Sequence, residues 1–317
     1  MSAAEGKRWP EALELAQRMV ADTGDSMRAV LLYGSRLHKT GADQHSALDF
    51  IVVVDDYEAF YRGLSDAGQM HRPVRLLTAM AEVLPPNAIA YVPDDGRNGM
   101  AKCLVVRKDH FAVALGPNPP DHFLLGRLVQ RVGLLWAADD DEARWVEEQI
   151  RGAHARVLEW MAPYIEGSFS SEDLGRRLLE VCYQGEFRPE SRGRAGRIFE
   201  AQADHFAEAL RPGLEAAVAG GTLIRDGERY RLAEPAPATQ ARRWRRHFRR
   251  SKARTTTRWL KHMATFDNWL PYMVRKVERH TGRTIELTTL ERKLPLLFLW
   301  PRAIHVLVTR PRREIRS

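Results

Sequence analysis

A single carboxylate, Asp49, opens the apolar run LDFIVVV from Leu48 to Val54, and a Gly-Ser pair, Gly34-Ser35, ends the apolar run from Ala29 to Tyr33. An ionised carboxylate at the mouth of a buried strand is costly unless it is paired or holds a cation, so Asp49 is a candidate metal ligand. Gly34 lets the backbone approach a ligand closely and, with Ser35, offers N–H groups and a hydroxyl to phosphate oxygens. Arg36 and Lys39 follow at once and are placed to receive phosphate charge. The chemistry open to such a set is transfer between phosphate groups, in which a divalent cation and fixed positive charge bring two anions together. On the strand face of Asp49 the next positions are Ile51, Val53 and Asp55. The second ligand is therefore Asp55, Asp56 or a more distant group, and both of those Asp residues suit equally the cap of a helix from Tyr57 to Leu64.

The elements that must hold these residues follow from periodicity. Trp9 to Ala21 reads as an amphipathic helix leading into the first strand, and Val74 to Val83 as another, ended by Pro85-Pro86. Ile89–Val92 and Ala101–Val106 read as strands joined by the turn-rich PDDGRNG. Strands and helices alternating around Asp49 predict a small α/β domain over residues 1–118, closed by the irregular GPNPP at Gly116–Pro120. Residues 119–234 read as mainly helical: Phe123–Trp136, Glu142–Met161, a helix opening at Ser170 or Ser171, and Ala195–Leu210. Two short strands around Arg225-Asp226-Gly227 then give this part a winged-helix-like ending. The helices before that wing are not especially basic, so nucleic acid is not the expected partner.

The net charge of +8 is unevenly spread. From Ala238 to Ser317 there are 21 Lys and Arg against 5 Asp and Glu, so the body before Ala238 is acidic by 8 charges. Residues 235–317 are accordingly expected to form a basic amphipathic tail that meets an anionic surface, with Trp244, Trp259, Trp269 and Trp300 suited to a headgroup boundary. No run of 18 apolar residues is present, and the N-terminus lacks the apolar core of a signal peptide. Cys103 and Cys182 are far apart and expected to be free thiols. These features predict a cytoplasmic protein peripherally associated with the inner face of the membrane.

Taken in order, YGS at Tyr33–Ser35, LDFIVVVDD at Leu48–Asp56, AKCLVVRKD at Ala101–Asp109, GRLVQRV at Gly126–Val132 and SSEDLGRRLLEVCYQGEFR at Ser170–Arg188 resemble the mitochondrial-type phosphatidate cytidylyltransferases. These are peripheral CDP-diacylglycerol synthases within the DNA polymerase β-like nucleotidyltransferase superfamily. The resemblance covers roughly Val30 to Leu210. It departs at Glu186, where the family usually has Asp, at Pro189 in place of Met, and at Cys103 in place of Tyr.

The resemblance implies a nucleotidyltransferase-like mixed sheet with helices, and a reaction of CTP with phosphatidic acid giving CDP-diacylglycerol and pyrophosphate. It implies Mg²⁺ as cofactor, on Asp49 and a second carboxylate, for which Asp55, Asp56 and Glu186 are the candidates. Lys102 and Arg188 join Asp49 as the implied catalytic set. Tyr33, Gly34, Ser35, Arg36, Lys39, Arg127 and Tyr183 are the implied nucleotide-binding set. A phosphate monoester acceptor has a second pKa near 6 and needs no general base. A nucleotidyltransferase acting on RNA, protein or a small-molecule hydroxyl shares Gly34, Ser35 and Asp49. A non-enzymatic nucleic-acid-binding protein would use the wing and the tail.

Overall fold

The computed structural model describes residues 8–38, 47–93, 99–184 and 194–265. All belong to one compact unit, Met1–Thr265. Helix α1 (Pro10–Thr23) starts with proline in its first turn, where a missing N–H costs nothing, and leads into strand β1 (Met27–Tyr33). A four-residue helix α2 (Ser35–His38) follows Gly34, and β2 (Leu48–Val54) returns antiparallel to β1. Helix α3 (Tyr57–Asp66) is capped by Asp56, whose side chain accepts the Ala59 N–H at 2.7 Å. Then come α4 (Val74–Val83), β3 (Asn87–Tyr91), β4 (Ala101–Arg107) and α5 (Lys108–Leu115).

The strands form one mixed sheet of order β3-β4-β2-β1-β5, with β5 (Gly133–Ala137) on the far edge of β1. Alternation divides its residues between two faces. Val30, Leu32, Phe50, Val52, Val54, Cys103 and Val105 pack with Leu15, Met19, Tyr57, Phe60, Tyr61 and Leu77 from α1, α3 and α4. The opposite face, with Leu31, Ile51, Val53, Leu104 and Val106 fully or almost fully buried, is covered by α5 and α7 (Asp140–Ala155). Helix α7 opens on Asp139, which caps the Glu142 N–H at 2.8 Å, and three further acids in its first turn face the positive helix end.

Phe123–Trp136 is not one helix, as its apolar pattern predicts, but the short α6 (Leu125–Leu128) followed by β5. The run GLLWA is equally apolar as a buried strand, and the open edge of β1 supplies backbone partners that a helix would forgo. Ala195–Leu210 likewise divides into α10 (Arg194–Glu200) and α11 (Ala203–Ala219). After α8 (Val157–Met161) and β6 (Ser168–Phe169), helix α9 (Ser171–Gln184) starts with a reciprocal box: Ser170 Oγ accepts the Asp173 N–H, and Asp173 accepts the Ser170 N–H. Helices α9, α10 and α11 pack together beside a three-stranded sheet, β6-β8-β7, formed with the hairpin β7 (Leu223–Asp226) and β8 (Arg229–Leu232).

Helix α12 (Ala238–Thr265) carries ten Lys and Arg and no Asp or Glu, yet it is part of the folded body. Trp244, Ser251, Thr255, Arg258 and Thr265 are buried along one side at three- and four-residue spacing, and Phe248 and His262 continue the row half-buried. This side is mostly polar because it meets backbone. His262 Nδ1 accepts the Ala88 N–H at 3.3 Å, and Thr265 Oγ1 donates to the Ala88 carbonyl at 3.1 Å. Two outward-pointing groups of edge strand β3 are thereby satisfied. Arg258 donates to the Pro85 carbonyl, and Lys261 to the carbonyls of Met80, Leu84 and Pro86, at and just beyond the end of α4. Trp244, expected at a headgroup boundary, is instead buried in the body, only 5% exposed. Among the described residues no helix is long and apolar enough to cross a membrane.

Candidate functional site

The strand registers bring three expected residues into one row. Tyr33 stands opposite Asp49, and Asp49 stands beside Lys102, so that they lie side by side on β1, β2 and β4 at one end of the sheet. Register partners share a face, which puts the three side chains on the same side. Asp49 is half-buried and Lys102 is exposed. The field of Asp49 also reaches Cys103, whose thiol is pushed up chiefly by complete burial and secondarily by that carboxylate. Cys103 and Cys182 are both buried, and neither is in a disulfide.

Gly34 closes the row. Its φ of +85° lies in the region that L side chains rarely adopt. A Cβ added there would sit 2.5 Å from Asp49 Oδ2. The position is glycine for two independent reasons, backbone conformation and the close approach of the chain to the carboxylate. Ser35 opens α2, and Arg36 is drawn toward α1, where it pairs with Glu11 at 2.9 Å. Lys39, Glu186 and Arg188 lie outside the described residues.

Asp55 is a correction. Its backbone N–H bonds the Ser26 carbonyl beyond the far end of β2, and its carboxylate pairs with Arg28. Six residues of extended strand separate it from Asp49 by about 20 Å, far beyond the reach of a shared ion. Among the described residues no three His, Cys, Asp or Glu side chains gather as a metal site. Asp49 still suits Mg²⁺, which is commonly bound through one or two carboxylates together with substrate phosphates.

A second group of cations was only partly legible. Arg127, on α6, lies over the Phe123 ring with its guanidinium carbon 3.8 Å from the centroid, and Arg258 approaches the same ring at 4.5 Å. His262 meets that ring at 5.9 Å. Burial pushes His262 down to about 2, and the charges of Lys261, Arg258, Lys102 and Arg127 push the same way. Lys102 and Arg127, from separate elements, thus act on one ring. Because His262 Nδ1 accepts from Ala88, its proton is on Nε2, and that buried atom has no hydrogen-bond partner; neither has buried Nη1 of Arg258. Arg258 is itself held by Asp121, 2.7 Å away and also buried, which takes Arg254 at 3.0 Å as well. Burial alone would raise the Asp121 carboxyl; its two arginines and the Phe123 N–H outweigh it and hold it low. In the sequence Arg258 stands among the tail charges, and His262 carries no motif of its own. The signal available was their four-residue spacing, which puts both on one helix face. Tyr183 is half-buried near the end of α9, which packs against α6.

The chain matches no protein-family model and no curated protein.

Proposed function

We propose that this chain is a metal-dependent nucleotidyltransferase whose site is the Tyr33–Asp49–Lys102 row with Gly34. The observation that carries the proposal is the approach of Gly34, at positive φ, to the Asp49 carboxylate next to Lys102. Asp49 would hold Mg²⁺, which, when bound, neutralises triphosphate charge. Gly34 lets the backbone close directly on the carboxylate that would carry the ion. Lys102 and Arg127 supply fixed positive charge toward the two anions that must meet. The resemblance assigns CTP as the nucleotide and phosphatidic acid as the acceptor. The acceptor's phosphate oxygen attacks the α-phosphorus, and the bond to pyrophosphate breaks. That oxygen is already ionised at neutral pH, which suits a site without an evident general base.

In this reading the five-stranded sheet is the nucleotidyltransferase domain, and α9–α11 with the β6-β8-β7 sheet are a winged-helix-like packing module. Peripheral association with the inner face of the membrane would rest on charge rather than on Trp244. The exposed arginines of α12 each contribute about 1 kcal/mol near anionic headgroups. Incubating the purified full chain with each labelled nucleoside triphosphate, Mg²⁺ and phosphatidic acid vesicles tests the proposal. CDP-diacylglycerol formed from CTP is the expected product. Transfer from ATP to a hydroxyl acceptor would point to a soluble nucleotidyltransferase, and no transfer with any nucleotide would overturn the reading.

A further inference from the structure

The N-terminal half of α12 borders a cleft of about 360 Å³, lined by Asn118, Pro119 and Pro120 on one side and by Arg243, Trp244, His247 and Arg250 on the other. Arg243, His247 and Arg250 are spaced so that they share a helix face, and no carboxylate is among the lining residues. Asn118 Oδ1 takes a hydrogen bond from Arg243, orienting one guanidinium beside the opening. The arrangement places like charges together around a space large enough for a small ligand.

The histidine has a fixed backing. Its Nε2 lies 2.8 Å from Nδ1 of His122, which is wholly buried among the rings of Trp160, Trp244 and Phe248. With Nε2 engaged, Nδ1 is the ring nitrogen of His247 left for the cleft. Four charged or titratable groups act on His247: His122 behind it, Asp121, which favours its protonation, and Arg243 and Arg250, which oppose it. Burial opposes it most. An anion in the cleft would reverse that balance by screening both arginines and accepting an Nδ1–H bond.

We propose that this cleft binds an oxyanion of the phosphate-ester class, received by Arg243, His247 and Arg250, with Trp244 and the two prolines walling the ester side. The site is separate from the Asp49 row and does not depend on nucleotidyl transfer. Its ligand is a soluble phosphate ester or the phosphate headgroup of a lipid, since both present the same chemistry.

Calorimetric titration of the full chain at low salt tests it, using sulfate first because sulfate does not titrate between pH 5 and 8. Sulfate should bind, and its affinity should rise several-fold from pH 7.5 to 5.5 as His247 takes up a proton. The exposed pair Arg243→Gln/Arg250→Gln should weaken binding about tenfold or more, as expected for lost charge-assisted hydrogen bonds. His247→Gln should keep residual binding and lose the pH dependence. Asp49→Asn should leave sulfate binding at this cleft unaltered, so failure of the nucleotidyltransferase reading and failure of this one are distinguishable. Glycerol 3-phosphate and vesicles containing phosphatidic acid then identify the source. If vesicles compete with sulfate through the two arginines, the ligand is a headgroup; if only the soluble ester competes, it is a free ester. Sulfate affinity unchanged in the double variant, or independent of pH in the wild type, would overturn the proposal.

Discussion

Replacing Gly34 with alanine separates backbone strain from the disturbance of Asp49. At φ +85° a side chain costs about 1–2 kcal/mol of stability. The added Cβ would also lie 2.5 Å from Asp49 Oδ2, whereas ordinary contact begins at 3.4 Å, so the carboxylate must retreat by about 0.9 Å. A misplacement of about 1 Å at a reacting centre costs on the order of 100-fold in rate, or about 2.7 kcal/mol of transition-state stabilisation. Gly68 is the control, because its φ is +71° and a Cβ there meets nothing within 4 Å. Gly34→Ala and Gly68→Ala should therefore lose similar stability in urea, and only Gly34→Ala should lose about 100-fold in nucleotidyl transfer from labelled CTP. Equal activity in the two variants would remove Gly34 and Asp49 from the reacting centre.

Asp49→Asn keeps the shape and removes the charge; turnover should be abolished while the circular dichroism spectrum and urea midpoint stay near wild type, and a wild-type rate would refute the metal role. Asp121→Asn leaves Arg258 buried beside a neutral partner and should destabilise by about 3–5 kcal/mol in urea unfolding; a loss under 1 kcal/mol would mean that the Pro85 carbonyl suffices to hold the guanidinium. His122 is held down at about 3 by burial first and by the His247 charge second. Its folded pKa lies below the unfolded value near 6.5, so the unfolded chain takes the proton first, and stability falls as pH drops from about 6.5 toward 3. Between pH 7 and 5 the wild type should lose about 2 kcal/mol more than His122→Phe; parallel losses would show that His122 does not carry the acid sensitivity.

The sheet end was legible because its signals are local. A glycine ending one apolar run and a carboxylate opening the next needed only their order to be read, and the register then placed Tyr33, Asp49 and Lys102 side by side. Asp55 misled because alternation assigns a face but not a distance: it shares the face of Asp49 and stands six residues away. The strand β5 was missed because a five-residue apolar run has no period of its own, and only the open edge of β1 decides between strand and helix. Helix α12 was misjudged for a different reason. An amphipathic pattern is recognised by an apolar stripe, and the buried side of α12 is largely built from Ser251, Arg258, His262 and Thr265, whose partners are backbone groups and one carboxylate, together with the buried Thr255.

The docking of α12 onto the body decides which experiment can find a membrane contact. Removing everything after Leu232 would delete the cover of the β3 edge, the Lys261 bonds to three carbonyls at the end of α4, and both arginine partners of buried Asp121. A protein so cut exposes an unpaired strand edge and an uncompensated carboxylate, and its aggregation would say nothing about lipid. Burial first and Arg258 second push Lys261 down to about 6, whereas the carbonyls it meets favour the ammonium, so this side chain is committed to the fold rather than free for headgroups. On α12 the cations available to a surface are the exposed ones: Arg242, Arg245, Arg246, Arg249 and Lys252, outside the cleft, and Arg243 and Arg250, at its mouth. Charge reversal at the first four, which leaves every buried contact of α12 in place, should weaken sedimentation with phosphatidic acid vesicles in a salt-dependent way without lowering the urea midpoint. Unchanged sedimentation in that variant would take the outer face of α12 out of the membrane contact and leave the charge argument for peripheral association to the 11 Lys and Arg of residues 266–317.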